Sequence, residues 1–145
     1  MEAITITARD ELGKLWLPWY IRRDDPGRLV YDIHRDHAAA RSLRVREVIE
    51  HAGVREALKE KTAYAEHGPW SHLEGIAHRR RDLDVAAPIG PILAWSTAEG
   101  LLLRDGCHRS CALFELAPQD FELRIDVSDP PPGAIDAISV LRSGS

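Results

Sequence analysis

The sequence predicts an α+β fold, a small mixed β-sheet with helices packed against it. Three observations carry this. Alternating apolar and polar residues stand near both ends, in "AITITA" (3–8) and "FELRIDV" (121–127). Between residues 36 and 82 the apolar residues recur at helical spacing instead. Then "APIGPILAWSTAEGLLLRDG" (87–106) gives two apolar runs, 91–95 and 101–103, around a loop that contains Gly100. The 145 residues favour a single domain over 1–145, long enough to bury a core without disulfides or a metal.

In chain order, "AITITA" is expected to be a short strand. "KLWLPWYIRRDDPGRLVYDIH" (14–34) reads as a hairpin, because Pro26 and Gly27 supply turn chemistry between two extended runs. Pro18 belongs at an edge or a bend of the first arm. "DHAAARSLRVREVIEHAG" (36–53) is a helix by the spacing of Leu43, Val48, Ile49 and Ala52, with Gly53 as its stop. "VREALKEKTAYAEHG" (54–68) is a second, solvated helix. A third starts at "SHLEGIAHRRRDLD" (71–84), where Ser71 and Glu74 have capping-box spacing. After the hairpin of 91–103, "CHRSCALFELA" (107–117) is a short helix that Pro118 helps to end, and "FELRIDV" is the last strand. Residues 128–145 form a proline-rich linker, "SDPPPG", and a C-terminal tail.

Composition narrows the function. The net charge is −4, which argues against a stand-alone DNA binder that lives by neutralising phosphates. No apolar run approaches the roughly 18 residues of a membrane span. The N-terminus lacks the basic and apolar regions of a secretory signal, so a cytoplasmic location is expected. Cys107 and Cys111, four residues apart on one helix, are poorly placed for a disulfide.

The chemistry concentrates at one corner, "RDGCHRS" (104–110). A strand that ends in a glycine turn and feeds a helix aims free backbone N–H groups, and the positive end of the helix dipole, at one spot. Gly106 lets an anion approach the backbone. Arg109 offers a two-point fork for phosphate or carboxylate. His108 is a second donor, expected to titrate near neutral pH. Cys107, beside both cations at the helix start, is expected to have a lowered thiol pKa. Asp105 could hold magnesium, accept a proton from a substrate hydroxyl, or cap the helix.

The stretch "PILAWSTAEGLLLRDGCHRSCALFEL", continued by "FELRIDV", resembles the signature of the ParB/sulfiredoxin superfamily over roughly residues 88–127. The pattern is a Pro-Ile strand, a turn, a second strand, an Asp-Gly-x-His-Arg corner, a short helix and a further strand. The resemblance implies a ParB/sulfiredoxin-like fold and a nucleotide bound at the corner. Gly106, Cys107, His108 and Arg109 align with the Gly-Cys-His-Arg of sulfiredoxins, in which the cysteine is the catalytic thiol and the His-Arg pair holds phosphates. Asp105 departs from that branch and agrees with the small-molecule kinase and partition branches. No helix-turn-helix is expected in the residues after the motif.

The reading that results is a phosphotransferase that uses ATP or another nucleotide, with Mg2+, on a small-molecule acceptor. Asp105, Cys107 and His108 are the candidate catalytic residues. Gly106, Cys107, His108, Arg109 and Ser110 are the candidates for holding the phosphates. Two alternatives stand beside it: a nucleotide-binding or DNA-associated regulatory module without small-molecule chemistry, and a Cys107 thiol enzyme of sulfiredoxin type. Elsewhere, His34, Asp36 and His37 ("HRDH") have ligand-like spacing but no third ligand, and a solvated helix start accounts for them better. The basic run 78–82 is expected on a solvated face, with contact to a nucleotide as the alternative. Most of the four tryptophans, Trp16, Trp19, Trp70 and Trp95, are expected in the core, and Trp70 is a candidate to line a pocket.

Overall fold

The structure is a computed structural model that describes residues 2–21, 29–31, 43–59 and 72–132. In chain order the elements are β1 (Glu2–Ile6), α1 (Arg9–Gly13), β2 (Trp16–Leu17), β3 (Trp19–Ile21), β4 (Leu29–Tyr31), β5 (Leu43–Arg44), α2 (Val45–Glu50), α3 (Ala52–Lys59), α4 (His72–Asp82), β6 (Ile89–Thr97), β7 (Gly100–Asp105), α5 (Cys107–Leu116) and β8 (Leu123–Ser128). The fold is α+β with a six-stranded mixed sheet in the order β1-β8-β6-β7-β2-β5. The β6/β8 and β2/β7 pairs are parallel and the other three antiparallel.

The mixed pairing follows from the connections. A two-residue loop joins β6 to β7, so they pair antiparallel. The chain then crosses through α5 before β8 joins β6 on its other side, and a helical crossover makes that pair parallel. This β6-β7-α5-β8 unit is the part that the sequence pattern outlines most fully. The hairpin expected over 14–34 is present as β3 and β4, which pair antiparallel in a separate two-stranded sheet. Its turn lies outside the described residues. Pro18 is the bend that separates β3 from β2, and β2 joins the main sheet instead.

Alternation sorts the strand residues onto two faces. Leu17, Ile92, Ala94, Leu103, Leu123 and Ile125 point into the core, where they meet Leu12, Val48, Ile76, Leu113 and Phe114 from the helices. Trp16, Leu102 and Trp95, in register across β2, β7 and β6, take the opposite face. Arg80 of α4 holds α4 on α5 by donating to Glu115 Oε1 at 2.5 Å.

Two expectations need correction. Leu43 stands in strand β5, not in a helix, because residues 43–44 pair with β2 before α2 starts at Val45. Glu47 caps that start by accepting the Arg44 backbone N–H at 3.0 Å. Gly53 does not stop a helix; it lies in the first turn of α3. The break falls at His51, whose Nδ1 accepts the Gly53 N–H at 3.1 Å. The short helix α1 had no counterpart in the sequence reading. Ser71, Trp70 and the tail 133–145 lie outside the described residues, as do His34, Asp36 and His37.

Candidate functional site

The corner is built by one backbone conformation. β7 ends at Asp105, Gly106 takes a left-handed conformation (φ 81°, ψ 18°), and α5 begins at Cys107. L-residues avoid that region, and a Cβ here would also run into the Ile92 side chain. No side chain caps the start of α5, so the capping role considered for Asp105 is not realised. Asp105 instead pairs with Arg109 one helical turn on, at 3.4 Å, with its own side chain 62% exposed. No side-chain cap therefore occupies the start of α5.

Around this corner lies a pocket of about 190 Å³ lined by Arg79, Arg104, Asp105, Gly106, Cys107, His108 and Arg109. Among the described residues, three guanidinium groups there face one carboxylate. Among the described residues neither Arg79 nor Arg104 has a carboxylate partner. Arg104 stands over the Trp95 ring, 3.6 Å from its centroid.

The basic run is divided among several tasks. His78 pairs with Asp82, Arg80 with Glu115, and Arg79 lines the pocket. Its nucleotide-contact alternative thus has a definite residue to act through. Arg104 went unnoticed in the sequence. The available signal was its place two residues after Leu102, which pairs with Trp95 of β6.

Two expectations about acidity are overturned. Cys107 is 7% exposed, and burial pushes its thiol up to about 12, aided by the Asp105 carboxylate. Arg104 and Arg109 pull the other way but do not prevail. The helix start and the cations were expected to lower this pKa, yet the side chain turns inward, where desolvation dominates. Cys111 is fully buried and raised for the same reason, and both thiols are free.

His108 also turns inward. Its ring lies against Gly75 of α4, where a Cβ would come within 2.6 Å of it. Its Nε2 is 3.1 Å from His72 Nδ1, and Trp19 stacks on His72 at 4.4 Å between ring centroids. Burial, followed by the nearby Arg79, lowers its pKa to about 4. His72 falls to about 4 through burial and then His108. His108 is therefore neutral at pH 7 and does not titrate near neutrality as expected. It can offer an N–H to an anion, but no charge.

Ser110 departs from its expected place as well. It is fully buried and does not line the pocket; its backbone N–H donates to the Gly106 carbonyl at 2.9 Å. Of the predicted residues, Asp105, Gly106, Cys107, His108 and Arg109 do meet at the pocket. Among the described residues there is no group of three or more His, Cys, Asp or Glu placed to hold a metal ion, and no helix long and apolar enough to cross a membrane.

No family model, curated protein or solved structure matches the chain.

Proposed function

We propose that the corner binds the phosphates of a nucleotide and that the protein is a nucleotide-dependent phosphotransferase acting on a small-molecule acceptor. The observation that carries this is the convergence of Arg79, Arg104 and Arg109 on a glycine turn at an uncapped helix start. Three guanidinium groups around an uncapped helix start, two of them without a carboxylate partner among the described residues, are matched by a ligand with several negative oxygens. Phosphoryl transfer needs little from a protein beyond positioning and charge stabilisation, which such a pocket supplies.

Arg109 is placed for two-point contact, and Arg79 and Arg104 add charge from α4 and from the strand. Gly106 and Cys107 contribute backbone, and His108 a neutral donor. Asp105 is the acidic member, exposed at the pocket edge. It would accept the proton of the acceptor hydroxyl as that oxygen attacks the terminal phosphorus and the bond to the leaving diphosphate breaks. Asp105 also fits magnesium, since that ion is usually held by one or two carboxylates together with phosphate oxygens and water. Bound there, magnesium would neutralise charge on the phosphates.

The buried thiol removes the main support for a Cys107 enzyme, because the thiolate is the nucleophile and a pKa near 12 keeps it protonated. The regulatory reading keeps one specific support: among the described residues Asp105 is the pocket's only carboxylate, and it is engaged with Arg109. Turnover separates the two. A thermal-shift screen of ATP, ADP, CTP and GTP with magnesium tests binding. A nucleotide at 100 times its dissociation constant should add about 2.7 kcal/mol. If none shifts the transition, the nucleotide reading fails. If one shifts it while candidate hydroxyl acceptors gain no phosphate, the regulatory reading replaces transfer.

A further inference from the structure

The phosphate pocket is too small for a whole nucleotide. Its roughly 190 Å³ falls below the ~300 Å³ at which small-molecule pockets begin, so the remainder of the ligand must lie against a neighbouring surface. On the inner side Cys107 and His108 are turned into the protein. On the outer side the sheet face presents Leu93, Trp95 and Arg104.

We propose that this face is a base subsite, at which the planar base of the nucleotide stacks on the Arg104 guanidinium beside Leu93. The inference rests on the phosphate reading above. Arg104 belongs to both places: it lines the phosphate pocket and stands over Trp95 at 3.6 Å. At that separation the guanidinium centre is in van der Waals contact with one face of the indole, and the side of the guanidinium away from the ring is left for a second planar group. A base stacks readily on an arginine plane. Leu93 pairs in register with Asp105, at the pocket edge, and is 46% exposed, one of two large apolar side chains so placed among the described residues. The register shift between Leu93 and Ala94 sits at this same point. Bulges of this kind re-aim side chains beside binding sites.

The other half of the sheet supplies a contrast. Arg44 lies over Trp16 at 4.6 Å, but Trp16 is buried, donates its indole N–H to the Glu99 carbonyl and lies away from the corner. The stacked arginine next to the phosphate pocket differs in having an exposed apolar neighbour.

The test is a calorimetric comparison of ATP with inorganic tripolyphosphate, both with magnesium, on the wild-type chain, Leu93→Ala and Trp95→Leu. Stacking one base should make wild type prefer ATP by about 10-fold or more. Leu93→Ala and Trp95→Leu should each shrink that preference while tripolyphosphate affinity holds. Equal affinity of wild type for the two ligands would overturn the base subsite and leave the phosphate site standing. Loss of both ligands by the same factor in Trp95→Leu, with Leu93→Ala unchanged, would overturn it too, because Trp95 would then only hold Arg104 in place. Binding of neither ligand by wild type would overturn the phosphate reading and the subsite with it. Leu93 is exposed, so its variant keeps the test available even if Trp95→Leu fails to fold.

Discussion

Residues 104–109 divide between two environments, although they are contiguous. Arg104, Asp105 and Arg109 face the pocket, with Arg79 joining them from α4. Cys107 and His108 turn inward, against the core and against Gly75, His72 and Trp19. The outward half keeps its charges near water. In the inward half burial governs: a thiol is raised to about 12 and two imidazoles are lowered to about 4. The same motif thus supplies charge with one half and rigidity with the other. Cys and His carry chemical meaning only where solvent or a counter-charge can reach them.

The strongest way to break this division is to disturb the backbone that creates it. Gly106→Ala places a Cβ in the left-handed region and against Ile92. A cost of about 2–4 kcal/mol is expected from strain and overpacking together, read as a lower denaturant midpoint. A midpoint unchanged from wild type would mean that the turn relaxes freely. Gly75→Ala presses on the His108 ring and should cost about 1–3 kcal/mol. That loss comes from the inward half alone.

The outward half should respond in the opposite manner. Arg79→Ala and Arg109→Lys should each weaken nucleotide binding by about 10-fold or more, the scale of a lost charged hydrogen bond. Both side chains are half-buried, so the unliganded protein should lose about 1 kcal/mol or less. Lysine should not rescue Arg109, because an ammonium is a point charge and cannot reproduce the fork. Full affinity in the lysine variant would remove the two-point contact from the account.

Acid sharpens the comparison further. Both imidazoles are harder to protonate in the folded chain than at their ordinary 6.5. Their contribution to stability is complete above pH 6.5 and is lost as pH falls through about 4. Unfolding free energy followed from pH 7 to 4 should decline more steeply for wild type than for His72→Gln, which removes one of the two groups. Parallel curves would show that the pair is solvated.

The smallest effect is expected at the thiol. Cys107→Ala should leave nucleotide affinity and turnover within about twofold of wild type, the change typical of a residue outside the chemistry. A dead Cys107→Ala that still folds would restore the thiol mechanism.

The β6-β7-α5-β8 unit was legible in the sequence because its signals are local. Alternation marks its strands, Gly106 marks the corner, and Pro118 follows the end of α5. The meeting of Asp105, Gly106 and Arg109 at one pocket followed from the same short segment. The inward turn of His108 was not legible, since it depends on a slot at Gly75, 33 residues earlier on another helix. Ser110 was misplaced for a related reason. Its position in the motif is close to the corner, but the helical period carries its side chain into the core. Arg79 was visible only as one of three arginines, and nothing local distinguished it from Arg80, which instead binds Glu115. The start of α2 was misjudged because Leu43 and Arg44 take their conformation from pairing with β2, a contact between distant segments.

The central claim is that nucleotide phosphates sit at the Gly106–Arg109 corner, and an amide-resolved NMR titration of the full chain with magnesium ADP tests it most directly. The account predicts that the largest shifts fall on the backbone amides of residues 106–109 and on the Nε–H groups of Arg79 and Arg109, saturating at one nucleotide per chain. Shifts confined to another surface, such as the cleft lined by Thr5, Leu15 and Arg44, or no shifts at all, would contradict it.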